Sequence, residues 1–409
     1  VKVRLDLPAC LARRRLLVCV GSGGVGKTTL SAALALAAAR AGRRALVLTI
    51  DPARRLADAL DVGELSNEPR EVPAARLSAL GAASGSLSAM MLDTKRSFDA
   101  LVERFAESAA VRERIYANRF YQQLSDALAG SAEYAAMERV HELTESGAFD
   151  LVVVDTPPSQ HALDFLEAPQ RLVAFLDGAL VKLLVHPAFA AGRFGFRVFQ
   201  RSAQRTLQLV ERLSGLSFLE DLSEFLLAFE SMSAGFRERA QRARGLLLGR
   251  EAAFVLAAAP TRESQSQAHA LLARLDELGA PLAGVIVNRV RVWPGGGDAP
   301  AAVATGAAEP PALAALAAAF VRSEPAGFPA EAAARAALEA ARTTAALVRA
   351  HAAAAQPLRE MAAARGLFWR SVPELPRDVH DLDALARVAA ALADPVPSRV
   401  RRGSPAPTD

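Results

Sequence analysis

The residues whose types and spacing carry the most chemistry are Gly21, Ser22, Gly23, Gly24, Val25, Gly26, Lys27, Thr28 and Thr29. From Gly21 to Thr28 they follow the pattern of a glycine, four free positions, then glycine, lysine and a hydroxyl residue. Glycines let backbone N–H groups approach phosphate oxygens with no Cβ between them. A lysine in that place reaches the β- and γ-phosphates of a nucleotide, and the next hydroxyl can ligate Mg2+. The plainer account is a tight glycine turn with an incidental lysine. Lysine is scarce here, with only Lys2, Lys27, Lys95 and Lys182 in the chain, so that coincidence is a poor account. Gly21 through Thr29 are therefore read as the phosphate cradle, with Lys27 also catalytic and Thr28 also a metal ligand.

Two carboxylates follow apolar runs. Asp51 ends Leu48-Thr49-Ile50 and precedes Pro52. Carboxyl ends of strands in an open α/β sheet face the ligand crevice, so Asp51 could orient an attacking water. Asp before Pro is also a good helix start, and spacing alone divides these readings evenly. Asp155 ends Leu151-Val152-Val153-Val154, a run that reads as a strand whose carboxylate holds Mg2+ directly or through water. A later run, Val285-Ile286-Val287-Asn288-Arg289-Val290, lacks the Asn/Thr-Lys-x-Asp element with which GTPases of this architecture read guanine. Adenine is favoured, with Asn288 either a base contact or a strand-end turn residue.

Such residues need a sheet edge to hold them. Apolar runs at 16–20, 45–50, 151–154, 253–258 and 284–287 read as buried strands, with a further pair at 87–92 and 367–372. They are apolar throughout, as parallel strands covered on both faces should be. Helical stretches separate them, the first expected over 29–41 and closed by Gly42. The fold class is α/β, a doubly wound, mostly parallel sheet of about seven strands.

Two stretches, roughly 95–147 and 161–249, are helical without a strand signal and are expected to cap the sheet. The second holds ten of the 18 phenylalanines, which at helical spacing favour core over a client groove. Residues 294–311 read as a flexible loop, alanine-rich helices run from about 313 to 364, and 395–409 reads as a disordered tail. Residues 1–392 are taken as one domain.

The 409 residues are 52% hydrophobic and 22% charged, enough apolar mass for a sizeable core. A formal net charge of +4 without a basic stripe argues against nucleic-acid binding. Cys10 and Cys19, the two cysteines, exclude a disulfide framework and a CxxC metal site. Arg13-Arg14-Arg15 precedes only five apolar residues, which is no leader pattern, and no run of eighteen apolar residues occurs. No transmembrane segment and a reducing cytoplasm are expected.

The motifs in this order resemble the arsenite-pump ATPase family, which includes the eukaryotic ATPase that targets tail-anchored membrane proteins. The resemblance rests on GSGGVGKTT at 21–29, DPARRLADAL at 51–60 and DTPPSQHALDFLEAP at 155–169. SLSAMMLDTKRSFD at 86–99 and VPELPRDVHDLDAL at 372–385 are similar to its bacterial branch. It covers roughly 16–290 and 366–392. It implies a P-loop NTPase of the deviant Walker A group that uses ATP and Mg2+. Asp51 becomes the switch I carboxylate that activates water, and Asp155 begins switch II, with His161 in the turn that follows.

Family members work as nucleotide-sandwich dimers or as one chain with two P-loop halves. A single P-loop implies a homodimer, or a heterodimer with a paralogue. Hydrolysis would then move dimer and cap for transport, targeting or chaperone-like work on a hydrophobic or membrane-protein client. A nucleotide-gated switch or scaffold with negligible turnover is the other reading. The chain departs from the family at three points. Ser22 stands where relatives carry a lysine that reaches the partner's nucleotide, metalloid-binding thiols have no counterpart, and the zinc-bridging CxxC is missing.

Overall fold

Successive strand residues point to opposite faces of a sheet, so a strand buried on both must be apolar at every position. In β1 (Leu16–Gly21), Leu16, Val18 and Val20 enter one core, Leu17 and Cys19 the other. The computed structural model describes residues 6–50, 55–82, 84–118, 131–157, 233–294, 309–325 and 327–393, with single residues such as Tyr121 and Phe225 between these blocks. Its other strands are β2 (Arg44–Thr49), β3 (Arg70–Glu71), β4 (Ser86–Met91), β5 (Leu151–Asp155), β6 (Ala252–Ala258), β7 (Leu282–Val290) and β8 (Phe368–Pro373).

They form one eight-stranded sheet in the order β3-β4-β2-β5-β1-β6-β7-β8. Each of the seven apolar runs is a strand, and those seven are parallel. The eighth, β3, pairs antiparallel with β4 through Arg70 and Glu71. Two exposed charged residues at an edge leave no apolar run to read, so about seven strands become eight. The order reverses around β1, between β5 and β6, and the crevice beyond its carboxyl end is the topological switch point where ligands of open α/β sheets bind.

The helices are α1 (Leu7–Arg13), α2 (Lys27–Arg40), α3 (Arg55–Leu60), α4 (Ala74–Ala79), α5 (Thr94–Phe105), α6 (Ala109–Ala117), α7 (Ser131–Glu145), α8 (Ser233–Leu248), α9 (Arg262–Leu278), α10 (Glu309–Ser323), α11 (Ala330–Arg365) and α12 (Leu382–Ala393). On one face α2 packs on β2 and β5 and, beside it, α12 packs on β8 and on α2. The alanines of α2 leave room for the sheet and for α12, and residues from Leu30 to Ala39 are mostly buried. α12 starts on Asp381, whose carboxylate accepts the Ala384 N–H at 2.7 Å.

On the opposite face α5 and α8 both pack against α7. Buried Glu138 of α7 is ion-paired with Arg239 of α8, whose guanidinium also lies 5.7 Å from the Phe105 ring centroid. Phe225 is buried, stacked with Tyr121 at 6.1 Å between ring centroids. That is core packing. The side chains of the other nine phenylalanines of that stretch lie outside the described residues, as do His161 and residues 395–409.

α10 begins at Glu309, so Pro310 and Pro311 belong to its first turn and not to the loop expected over 294–311. A helix's first N–H groups have no intrahelical partner, and proline there loses nothing. α10 packs on α11, a 36-residue helix with Pro357 inside it, about 54 Å long at 1.5 Å per residue.

Candidate nucleotide site

The loop from Ser22 to Gly26 joins β1 to α2, and glycine is required at its last residue and at the strand end that precedes it. A Cβ on Gly21 would fall 2.3 Å from the Ala257 carbonyl oxygen of the paired strand β6. Gly26 holds φ +88°, and a Cβ there would fall 2.4 Å from Asn288 Nδ2. Gly26 is also the N-cap of α2 and gives it no side-chain cap, and no acidic residue occupies the first turn. The first N–H groups and the positive end of the helix dipole are thus left for an anion.

Lys27 is buried, and its Nζ donates to the Ser22 carbonyl at 3.0 Å, which folds the ammonium across the loop. Thr28 Oγ1 donates to Asp155 Oδ2 at 2.7 Å. Thr49, at the end of β2, donates to the same oxygen at 3.0 Å. Asp155 is only 1% exposed, so two hydroxyls fix a buried carboxylate beside the loop. Thr156 then donates to the Cys19 carbonyl at 2.7 Å, which ties the chain leaving β5 to β1.

Asn288 is buried, and its Nδ2 donates to the Val25 carbonyl at 2.9 Å. The residue read from sequence as a base contact thus braces the back of the phosphate loop. Ser22 is 4% exposed, and its hydroxyl lies 3.3 Å from that of Ser264 in the first turn of α9. It points into its own chain. Asp51 lies outside the described residues, but β2 leads toward it beside β5, where the Ile50 N–H donates to the Asp155 carbonyl at 3.3 Å.

In front of the loop is a cleft of about 460 Å³, lined beyond the loop by Arg55, Asp58, Thr156, Arg289, Asp378 and His380. A smaller recess of about 150 Å³ adjoins it, shares Gly26, Thr29, Arg289 and Asp378, and extends past Asn288 to Pro373 and Leu375. Sequence reasoning gave no role to Arg289, Asp378 or His380. The last two fall inside the segment 372–385, whose likeness was noted without a function. Arg289 follows Asn288 directly, but the bulge that turns it toward the cleft leaves no mark in composition.

Oxygen donors suit Mg2+, which keeps several waters and is usually held by one or two protein oxygens plus phosphates. Thr28 and Asp155 are such a pair. No group of three His, Cys, Asp or Glu side chains able to hold a metal converges among the described residues. Thiolate chemistry is unfavourable: burial pushes the Cys10 thiol from 9.0 up to about 11 and the Cys19 thiol up to about 12. Among the described residues no helix is long and apolar enough to cross a membrane.

A phosphate-sized cradle at the switch point of a parallel sheet, with a carboxylate strand alongside, places the chain in the class of P-loop nucleotide-binding proteins. Residues 14–295 match the family model described as anion-transporting ATPase, and the chain belongs to that family. It is 32% identical over 182 residues to the ATPase get3 of Schizosaccharomyces japonicus, across 44% of this chain and 50% of that protein. It is 34% identical over 180 residues to a putative arsenical pump-driving ATPase of Halobacterium salinarum, 41% of this chain and 26% of that protein. An uncharacterized protein of Streptomyces coelicolor, SCO2128, is 36% identical over 159 residues, 39% of this chain and 38% of its own length. The matched segments thus span half or less of these relatives.

Proposed function

We propose that this chain is a Mg2+-dependent ATPase whose hydrolytic cycle moves a dimer and its helical cap for work on a hydrophobic or membrane-protein client. The observation that carries the reading is the 2.7 Å hydrogen bond from Thr28 to Asp155 beside a helix start left uncapped. Thr28 and Asp155 would hold Mg2+, which when bound offsets charge on the β- and γ-phosphates. Lys27 would exchange its bond to Ser22 for phosphate oxygens. Asp51 would orient the attacking water. Phosphoryl transfer needs mainly such positioning and charge stabilisation.

Adenine fits Asn288 on chemical grounds. An amide whose nitrogen is given to Val25 offers its oxygen, an acceptor that suits the adenine amino group and not the guanine carbonyl. The names of the relatives, a get3 ATPase and an arsenical pump-driving ATPase, support ATP use. A nucleotide sandwich formed with a second copy or a paralogue would give a homodimer or a heterodimer. Residues 1–392 would act as one ATPase domain capped by 95–147 and 161–249, working in the cytoplasm. Phosphate release by the purified chain with Mg-ATP tests this, and an Asp51→Asn variant as fast as the parent would remove Asp51 from its role.

A second reading is a nucleotide-gated switch that binds ATP with negligible turnover. The inward-facing Ser22 favours it, because no cation is offered there to a partner's nucleotide. Robust turnover by the homodimer alone would exclude it.

A further inference from the structure

Arg289 is held in a backbone conformation that arginine disfavours, and among the described residues no side-chain contact repays it. Its φ is +57°, in the left-handed region. The cause is a bulge at the carboxyl end of β7. Val287 pairs with Ser371 and Val290 with Pro373, so Asn288 and Arg289 together face a single residue of β8. Such bulges re-aim side chains and concentrate beside functional sites. Here Asn288 turns inward to the Val25 carbonyl, and Arg289 is exposed and lines the cleft.

Among the described residues the Arg289 side chain makes no hydrogen bond or ion pair, although Asp58 and Asp378 line the same cleft. Glycine or asparagine would serve the bulge with less strain. A guanidinium is charged at every working pH and presents donors in a planar fork that matches phosphate oxygens.

We propose that Arg289 is a nucleotide-binding residue that holds the α-phosphate–ribose segment and adds, within one chain, a further cation to the cleft beside Lys27 and Arg55. The placement follows from the two cavities. Thr28 and Asp155 mark the metal end of the cleft, and Asn288 borders the recess. Gly26, Thr29, Arg289, Asp378 and Val379 line both, and of these only the Arg289 side chain carries a cation to a phosphate. A nucleotide with its phosphates in the loop and its base in the recess passes its α-phosphate and ribose across those shared residues. The inference rests on the reading of this site as a nucleotide cleft.

The test is calorimetric titration of the full chain with Mg-ADP and with the non-hydrolysable Mg-AMP-PNP, together with thermal unfolding without nucleotide. Binding by the parent and its loss in Lys27→Ala establish the cleft itself; a parent that binds neither nucleotide would refute that reading, not only the role of Arg289. Given binding, Arg289→Ala and Arg289→Gly should weaken both nucleotides by roughly tenfold or more and by the same factor, because both carry the α-phosphate. Arg289→Lys should recover part of the loss. Arg289→Gly should melt at least as high as the parent, by about 2 °C, since glycine adopts the bulge without strain. Affinities within twofold of the parent in both variants would overturn the proposal. So would a loss confined to AMP-PNP, which would put the guanidinium at the γ-phosphate.

Discussion

Asn288 holds the carbonyl of Val25 at 2.9 Å and so fixes the last turn of the phosphate loop from behind. The bond is buried and joins the end of β7 to the loop that follows β1, which makes it a clamp on loop shape before any ligand arrives. Replacing Asn288 with alanine should cost about 1–2 kcal/mol of stability by stranding the Val25 carbonyl. Affinity for both ATP and GTP should fall several-fold through the loop, with a further loss for ATP alone through the adenine contact. A change confined to the ATP-to-GTP preference, measured by competition, would instead make base reading the main role of Asn288.

Gly26 makes a stricter demand. Alanine there meets a φ of +88° and a Cβ 2.4 Å from Asn288 Nδ2, so two penalties act together. Gly26→Ala should lose nucleotide binding by more than tenfold and lower stability by about 1–3 kcal/mol. In the double variant with Asn288→Ala the contact is relieved and the backbone strain stays. The two changes should therefore couple, by about 0.5–3 kcal/mol in a double-mutant cycle of unfolding free energies. Strict additivity would mean that the loop moves away from Asn288 when substituted.

Asp155 accepts from both Thr28 and Thr49, yet only Thr28 belongs to the glycine motif. Thr49→Val keeps the shape and removes one of the two donors that orient the carboxylate. The Mg2+ concentration for half-maximal nucleotide affinity should rise several-fold, with little change in affinity measured without metal. Asp155→Asn should abolish the metal dependence. Equal Mg2+ curves for Thr49→Val and the parent would reduce Thr49 to a packing residue.

The sheet was legible because each parallel strand is buried on both faces and so wrote itself as an unbroken apolar run, as Val152 to Val154 and Phe254 to Leu256 show. The edge strand at Arg70 and Glu71 wrote nothing, being two residues of backbone pairing with exposed side chains. Pro310 and Pro311 misled in the other direction, since a helix start tolerates what a loop also favours. Within the site, residue types singled out Lys27, Thr28 and Asp155, which the fold brings together beside the loop. The roles of Asn288, Arg289 and Ser22 depend on where side chains point. A bulge and a partner 242 positions away in sequence decide that, and neither is a local pattern.

The buried thiols give the chain a definite alkaline weakness. Burial raises the Cys19 thiol from 9.0 to about 12, so the folded form keeps its proton where the unfolded form has lost it. Stability from this group is complete below about pH 9 and is lost as pH rises toward 12, by up to about 1.4 kcal/mol per unit. Cys19→Ala should flatten the fall in denaturant midpoint across that window relative to the parent. In the native state both thiols should resist alkylation at pH 8 and react on unfolding. Rapid labelling of the folded chain would mean that Cys10 or Cys19 reaches solvent.

Ser22 decides between the two functional readings. Its hydroxyl lies 3.3 Å from that of Ser264, which in turn accepts the Ala259 N–H at 2.9 Å, so the second loop position is locked to the start of α9. Lysine cannot be accommodated at a position 4% exposed without moving outward, and the lock would break. Ser22→Lys should therefore lower stability by about 1–2 kcal/mol through the lost contact. Turned outward, the new ammonium becomes available to a nucleotide on a second copy, where charge on the transferring phosphoryl group is what catalysis must stabilise. Phosphate release per site should then rise, and rise with protein concentration, since the effect needs two chains. A variant that loses stability and stays as slow as the parent at every concentration would show that a cross-subunit cation is not what limits turnover.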